Sequence, residues 1–89
     1  MKQLEVRISN ALGLHARAAA RFVHLANRFE SRITVIKGHA RVDGKSILGL
    51  LTLAAAEGSR LQLAAEGQDA EQALLELRLL VRNGFGEND

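Results

Sequence analysis

Hydrophobic and polar residues alternate at the start of the chain, and this period of two predicts a half-buried strand. Leu4, Val6 and Ile8 are the apolar members of the alternation. The segment 9–15 interrupts it and is typical of a loop, after which a helical spacing begins. The apolar positions of that first helix recur at i, i+3, i+4, i+7 and i+10: Ala19, Phe22, Val23, Ala26 and Phe29.

The middle of the chain predicts a hairpin followed by a short helix. Segments 33–36 and 40–42 are strand-like, and Lys37-Gly38-His39 lies between them as a turn. Ser46 precedes the apolar segment 47–53, and because serine often caps helices we expect a short helix there. After a turn at 57–59, alternating apolar residues predict a fourth strand over 61–65.

The clearest pattern in the chain is that of the last helix. Asp69 stands where it could cap this helix, and Gln72 follows three residues later, as in a capping box. Gly84 is expected to end the helix, and residues 84–89 are expected to fray as a C-terminal tail. The buried stripe of the helix is expected to contain Ala70, Ala73, Leu74, Leu77, Leu80 and Val81.

The predicted order of elements is therefore βαββαβα. This order indicates an α+β fold, in which a four-stranded antiparallel sheet carries three helices on one face. The length of 89 residues leaves room for a single core, so we expect one domain over residues 1–89.

Composition excludes several classes of protein. The chain has no cysteine, which rules out disulfides, thiol catalysis and thiolate metal sites, and it has no apolar run long enough to insert into a membrane. The absence of cysteine and a polar N-terminal segment point to the cytoplasm. His15, His24 and His39 lie on different predicted elements, so neither a metal site nor a bound cofactor is expected.

The candidate chemistry lies at the start of the first helix. His15 stands at or just before that start, where backbone N–H groups lack helical partners and the helix dipole is positive. This positive end, with Arg17 close by, should keep the imidazole uncharged and therefore nucleophilic, while the N–H groups could hold a phosphoryl group. The arrangement suggests transient phosphorylation of a ring nitrogen. A purely structural capping role for His15 is the alternative interpretation.

Two features beside His15 suggest a surface that binds a protein partner. Basic residues on the first helix are spaced four, three and four residues apart and form one stripe: Arg17, Arg21, His24 and Arg28. The short helix after Ser46 is apolar nearly all round and could leave Ile47, Leu48 and Leu51 available to a partner. The alternative for the basic stripe is an ordinary solvated helix face. The alternative for the short helix is that the rest of the protein covers it well.

The segment Gly13-Leu14-His15-Ala16-Arg17-Ala18-Ala19 resembles the phosphorylation site of the histidine-containing phosphocarriers (HPr) of the bacterial phosphoenolpyruvate:sugar phosphotransferase system. Lys45-Ser46-Ile47-Leu48-Gly49 and Ala64-Ala65-Glu66-Gly67 support the resemblance, which covers essentially the whole chain. Residues 8–13 and 83–85 are more similar to the nitrogen-related branch (NPr), whereas 45–49 are more similar to the branch phosphorylated on serine. The chain departs from the family at Ala18, where proline is usual.

The resemblance implies an open-faced β-sandwich and the role of each site residue. His15 would accept a phosphoryl group from enzyme I and pass it to enzyme IIA-type acceptors, with Arg17 helping to hold it. Ser46 would be a regulatory site for an HPr kinase/phosphorylase. Such a protein would be a monomeric carrier and not an enzyme, working without a cofactor.

Two other classes of function are compatible with a domain of this size. An RNA-binding domain of this size would need aromatic residues on its strands, and the chain has neither Trp nor Tyr, so nucleic acid is not an expected partner. A regulatory or adaptor domain without chemistry would explain every feature except the placement of His15 next to Arg17.

Overall fold

The computed structural model describes residues 2–87 and contains the predicted elements in the predicted order. The strands are β1 (Lys2–Arg7), β2 (Arg32–Lys37), β3 (Ala40–Asp43) and β4 (Arg60–Glu66). The helices are α1 (Ala16–Ala26), α2 (Ile47–Thr52) and α3 (Ala70–Arg82), and a 3₁₀ turn, Gly84–Gly86, follows α3. None of the helices in residues 2–87 is both long and apolar enough to cross a membrane.

The four strands form one antiparallel sheet in the order β1-β4-β2-β3, which confirms the predicted fold class. Strand β4 pairs with both β1 and β2, so the connection through α1 has to cross over β4. Strands β2 and β3 form the predicted hairpin, in which Lys37 pairs with Ala40 and only Gly38 and His39 lie between them. Gly38 has a φ of 60°, which a two-residue hairpin turn requires at this position.

The register places one row of apolar side chains across the helix-covered face of the sheet. Leu4 pairs with Leu63, and Val35 pairs with both Leu63 and Val42. The neighbouring row, which includes Glu5, Gln62, Ile36 and Arg41, points to the opposite, open face because successive side chains of a strand alternate. The apolar and polar residues that alternate in the sequence therefore face the helices and the open side of the sheet, respectively.

The helices cover the sheet with the apolar stripes expected of them. Helix α3 packs on β1 and β4, and α1 packs against both α2 and α3. The stripe of α1 is buried from Ala18 to Ala26, whereas Phe29, beyond the helix, is half-buried. In α3 the predicted stripe is buried except for Leu80, which is half-buried at the edge of the core.

The expected capping of α3 by Asp69 is wrong. Asp69 occupies the N-cap position, but its carboxylate makes no capping hydrogen bond. It accepts hydrogen bonds instead from the backbone N–H groups of Glu30 (2.9 Å) and Ser31 (3.0 Å) and from the Ser31 hydroxyl. Gln72 likewise donates to Glu76, at 2.7 Å, instead of closing a capping box. Asp69 thus fastens the loop between α1 and β2 to the start of α3.

We predict that Asp69 makes stability depend on pH in the acid range. The Ser31 hydroxyl and the Glu30 N–H hold the pKa of the Asp69 carboxyl below its ordinary value. The stabilisation is therefore complete above about pH 4 and is lost as the pH falls through the lowered pKa. Asp69→Asn should be less stable than wild type at neutral pH and should lose less further stability on acidification, as measured by thermal unfolding from pH 7 to 2. The exposed Glu66 offers a control, Glu66→Gln, which should follow wild type; parallel curves for Asp69→Asn and wild type would refute this role.

The prediction of a frayed tail over 84–89 is wrong for residues 84–87. Phe85 is only 1% exposed and belongs to the core cluster. Gly84, Phe85 and Gly86 have φ values of 62°, 59° and 77°, so the chain makes a left-handed turn there. Asn83 and Gly84 accept backbone hydrogen bonds from Gly86 and Glu87, each at 3.1 Å. Residues 88 and 89, which the prediction also covered, lie outside the described residues.

Candidate functional site

The loop that carries His15 is held by a close approach of backbone at Gly13. Gly13 has a φ of 70°, and a Cβ added there would lie 2.6 Å from the carbonyl oxygen of Ala55. The next residue, Leu14, donates a backbone hydrogen bond of 2.8 Å to that same oxygen and buries its side chain. Only glycine fits both the conformation and the space, so the Gly13-Leu14 pair fixes where α1 begins.

His15 is the N-cap residue of α1. Its backbone is extended (φ −84°, ψ −177°), and its carbonyl oxygen accepts the N–H of Ala19 at 2.8 Å. The ring nitrogen Nδ1 accepts a hydrogen bond of 3.2 Å from the backbone N–H of Arg17. An accepting nitrogen carries a lone pair, so in this geometry the ring proton is on Nε2. The nucleophilic nitrogen is therefore Nδ1, and it faces the N-terminus of the helix.

The other ring nitrogen faces a carboxylate that no sequence pattern predicts. The Nε2 of His15 donates to Oε2 of Glu87, and the side chains are 28% and 10% exposed, respectively. The second oxygen of Glu87 accepts a hydrogen bond of 2.7 Å from the amide of Asn10. Buried Asn10 also donates to the carbonyl oxygen of Gly13 at 2.8 Å, so one side chain holds both the tail and the loop.

The remaining donors at the start of α1 are available to an anion. The N–H of Ala18, in the first turn, has no acceptor among residues 2–87, and neither has the guanidinium of exposed Arg17. Proline, usual in the resembling family at the position of Ala18, would have no N–H to offer. In this chain the first turn therefore presents one more donor beside His15.

The basic stripe predicted on α1 lies on the surface, but its members do different things. Arg21 donates from Nη1 to the carbonyl oxygen of Phe85, at 2.5 Å, and so holds the C-terminal turn. His24 is exposed in the last turn of α1, and Arg28 lies two residues beyond the helix, in the turn that follows it. The third histidine, His39, is exposed in the hairpin turn, away from any helix start.

Helix α2 leaves part of its apolar surface uncovered. Leu48 is 77% exposed and Ile47 40% exposed, whereas Leu51 is half-buried against the core. Ser46 caps this helix as predicted, its hydroxyl accepting the N–H of Gly49 at 3.0 Å. Helix α2 packs against α1, so its exposed leucine belongs to the helix that neighbours the basic stripe.

Three residues of this region were not identified from sequence. Glu87 and Asn10 meet only because the chain ends fold together, and no local pattern signals a contact between residues 77 positions apart. Leu12 is 71% exposed, three positions before His15. Its loop also contains Leu14, which is buried, and the sequence pattern does not show which of the two leucines is exposed.

Comparisons with known proteins agree with the geometry. The family model for the "PTS HPr component phosphorylation site" matches residues 2–83. The chain is 43% identical over 89 residues to the phosphocarrier protein HPr of Neisseria meningitidis serogroup A, with all of both chains covered. It is 42% identical to the phosphocarrier protein NPr of Shewanella violacea, covering 93% of this chain and 91% of that one. Among solved structures, HPr-C-His from Thermoanaerobacter tengcongensis superposes with a TM-score of 0.95 at 43% identity, with full coverage of both chains. Glu87 lies beyond the residues that the family model matches.

Proposed function

Because this chain belongs to the HPr family of phosphocarriers of the phosphotransferase system, we propose that His15 is the residue that carries the phosphoryl group. The observation that supports this assignment is the environment of its ring: Nδ1 accepts from a backbone N–H at the start of α1, and Nε2 donates to a carboxylate. An adaptor without chemistry, the alternative considered from sequence, would leave this arrangement without a purpose.

The surroundings of Nδ1 suit a group that is negatively charged. A phosphoryl group on Nδ1 would lie at the N-terminus of α1, where the N–H groups of Arg17 and Ala18 and the helix dipole favour an anion. The guanidinium of Arg17 has no other partner within residues 2–87 and could move to the phosphoryl oxygens, forming charge-assisted hydrogen bonds. His15 and Arg17 thus act together, the first as nucleophile and the second as the charge that holds the product.

The proposed place of the protein in the relay is between enzyme I and enzyme IIA-type acceptors. Family membership, and the position of His15 as the one histidine at a helix start among residues 2–87, support a carrier that is itself a substrate and not a turnover enzyme. We infer that it works as a monomer, since one chain provides a complete core around the site. Family membership supports a location in the cytoplasm. Uptake of label from ³²P-phosphoenolpyruvate should require enzyme I, and the label should be lost in mild acid and survive alkali, as expected of an N–P bond; uptake without enzyme I, or an acid-stable label, would contradict the proposal.

We propose that both partners use one docking surface. It combines the basic residues of α1 and of the turn after it with apolar residues of α2, and it includes Leu12, which is exposed three positions before His15. Basic groups would steer an acidic partner, and Leu48 would be a buried anchor in the complex. The docking surface consists of Leu12, Arg17, Arg21, His24, Arg28, Ile47, Leu48 and Leu51.

We predict that reversing one charge of the docking surface slows association with enzyme I. Arg28→Glu is a better choice than a change at Arg21, whose guanidinium also binds the carbonyl of Phe85. The association rate should fall roughly three- to tenfold at 0.01 M ionic strength, and the difference should shrink near 0.15 M, where the Debye length is about 8 Å. Stopped-flow binding would measure both rates. Arg41→Glu, the same change on the open face of the sheet, should leave them as in wild type, and equal effects of the two reversals would refute a localised docking surface.

Ser46 is proposed as a regulatory phosphorylation site, for an HPr kinase/phosphorylase. Its hydroxyl is half-buried and caps α2, directly before the exposed Ile47 and Leu48. A phosphate there would add about −1.5 to −2 charges at pH 7. The start of the helix would tolerate that charge, while the docking surface beside it would repel an acidic partner.

We predict that Ser46→Asp slows phosphorylation of His15 without lowering the melting temperature. Aspartate is itself a good N-cap, so helix α2 should remain intact. The rate of label uptake from enzyme I should fall by roughly threefold or more, and less at high salt, because the added charge acts at the docking surface. Ser46→Asn, which caps the helix without charge, is the matched control and should behave as wild type. If the Asp and Asn variants accept label equally fast, Ser46 is a cap only.

A further inference from the structure

The side of His15 that faces away from α1 is occupied by the C-terminal segment. Glu87 places one carboxylate oxygen on Nε2 of His15 and the other on the amide of Asn10. Its side chain is 10% exposed, which is unusual for a carboxylate at the end of a chain. Neither the basic stripe nor the helix N-terminus accounts for this contact, so it requires its own explanation.

We propose that Glu87 is a positioning residue for phosphoryl transfer, acting through His15. Its carboxylate keeps the ring proton on Nε2 and therefore the lone pair on Nδ1, and it balances the positive charge that the ring acquires on phosphorylation. The inference rests on the proposed role of His15 and adds to it the residue that orients the ring. An acidic partner on the far nitrogen of a histidine is a well-established way to fix its tautomer and stabilise its cation.

The chemistry shows why the charge matters. The lone pair of Nδ1 forms the new N–P bond, while the bond from phosphorus to the N-phosphorylated side chain of the donor breaks and its electron pair leaves with the donor. No proton leaves His15, so the ring keeps its Nε2–H and gains one positive charge. When the group passes to the acceptor, the N–P electron pair returns to Nδ1 and the ring is neutral again. A carboxylate on Nε2 stabilises the charged, phosphorylated ring relative to the neutral ring, so it lowers the barrier to accepting the group but not the barrier to passing it on.

The fold holds Glu87 in this place through the turn that precedes it. Phe85 has a φ of 59°, in the left-handed region that aromatic residues rarely adopt, yet its side chain is buried. Arg21 donates to the carbonyl of Phe85. The strained turn is therefore fixed by burial on one side and by a guanidinium on the other, two residues before Glu87.

Asn10 adds a second indication that the carboxylate itself is required. Both N–H groups of its amide are used, one on the carbonyl of Gly13 and one on Glu87. Its oxygen, Oδ1, is buried without a hydrogen-bond partner among residues 2–87, and such a group is costly. The amide is therefore oriented so that its nitrogen donates to Glu87, although this leaves its own oxygen without a donor. Since Oε1 and Oε2 accept from different donors, glutamine with its single oxygen could satisfy only one of them.

The test compares Glu87→Gln, Glu87→Ala and wild type in phosphorylation by enzyme I and in transfer to an enzyme IIA-type acceptor. Both variants should accept the phosphoryl group from enzyme I roughly five- to tenfold more slowly, the difference expected between a charged and a neutral or absent hydrogen-bond partner. Transfer to the acceptor, in which the ring loses its charge, should not be slowed. Their melting temperatures should stay close to that of wild type. Glu66→Gln removes the same charge at the far end of β4 and should change no rate.

Proton NMR of the unphosphorylated protein supplies a signature that a merely structural role would not produce. The Nε2 proton of His15, held by a carboxylate, should resonate far downfield in wild type and in Glu66→Gln. In both Glu87 variants it should shift upfield or exchange with water.

Three results would overturn the role of Glu87. Phosphorylation by enzyme I at the wild-type rate shows that the carboxylate is not needed, and faster phosphorylation shows that the tail merely covers His15. If Glu87→Gln is slowed and Glu87→Ala is not, the slowing is caused by the introduced amide and not by the loss of the negative charge. If wild type is labelled and the two Glu87 variants are labelled equally fast, only this inference is refuted. If wild type itself is not labelled, the proposed function is refuted and the inference with it.

Discussion

His15→Ala and His15→Asn should both lose all label from phosphoenolpyruvate, down to the level of a reaction without carrier. The alanine variant removes the nucleophile and also the N-cap, so its stability should fall by about 1 kcal/mol. Asparagine is a good cap, and the Asn variant should keep the wild-type melting temperature while remaining unlabelled. The pair therefore separates chemistry from folding at one position.

The other two histidines are the internal controls for this experiment. His24 and His39 are exposed, and neither stands at the start of a helix. His24→Ala and His39→Ala should accept label, although His24→Ala should do so more slowly because His24 belongs to the docking surface. Label that persists in His15→Asn and disappears in His24→Ala or His39→Ala would contradict the assignment.

Phe85→Ala should destabilise the protein by about 3–5 kcal/mol, the range found when a buried phenylalanine is truncated. Phe85 is 1% exposed and belongs to the core, and the 3₁₀ turn that carries it packs against α1 and α3. At about 4–8 °C per kcal/mol for a domain of this size, the melting temperature should fall by roughly 12 °C or more.

Leu79→Ala is the comparison, since Leu79 is 52% exposed on α3 and its loss should matter little. Thermal unfolding followed by circular dichroism would measure both. A melting temperature within about 2 °C of wild type for Phe85→Ala would mean that the tail frays, as the sequence suggested, and would also remove the support for the placement of Glu87.

Most of the fold was predictable because its signals are local. The alternation of Leu4, Val6 and Ile8 and the spacing of the α3 stripe each depend on a few neighbouring residues and on burial of one face. Ser46 was identified as a cap from its position alone. The structure confirms this, because the Ser46 hydroxyl accepts a hydrogen bond from the N–H of Gly49. Periodicity identifies such helices and strands because each must bury one face. The pattern of that face does not depend on which part of the chain covers it.

The errors all concern contacts between distant parts of the chain. Asp69 has the residue type and position of a helix cap, but three donors from the loop before β2 compete for its carboxylate and bind it. The residues after α3 have two glycines and a polar end, which are typical of a frayed tail. Burial of Phe85 outweighs that tendency, and no local pattern reveals where a single aromatic residue will find its cavity.

The site was predictable in part for the same reason. His15 and Arg17 are neighbours in sequence, so their relation to the helix start could be inferred from the pattern. Glu87, which contributes the charge on the other side of the ring, is 72 positions away and has no sequence signal. Sequence therefore indicated the nucleophile and its anion-binding surroundings, and the structure was needed to find the carboxylate that orients it.

The most direct test of the central claim is to locate the phosphoryl group on the ring. The protein, with ¹⁵N-labelled histidine, would be phosphorylated by enzyme I and phosphoenolpyruvate and studied by ³¹P and ¹⁵N NMR, in which the bonded nitrogen is identified by its coupling to phosphorus. We expect one phosphoryl group per chain, bonded to Nδ1 of His15, the nitrogen that faces the start of α1. A phosphoryl group on Nε2 of His15, on another histidine or on a residue of another type would contradict it.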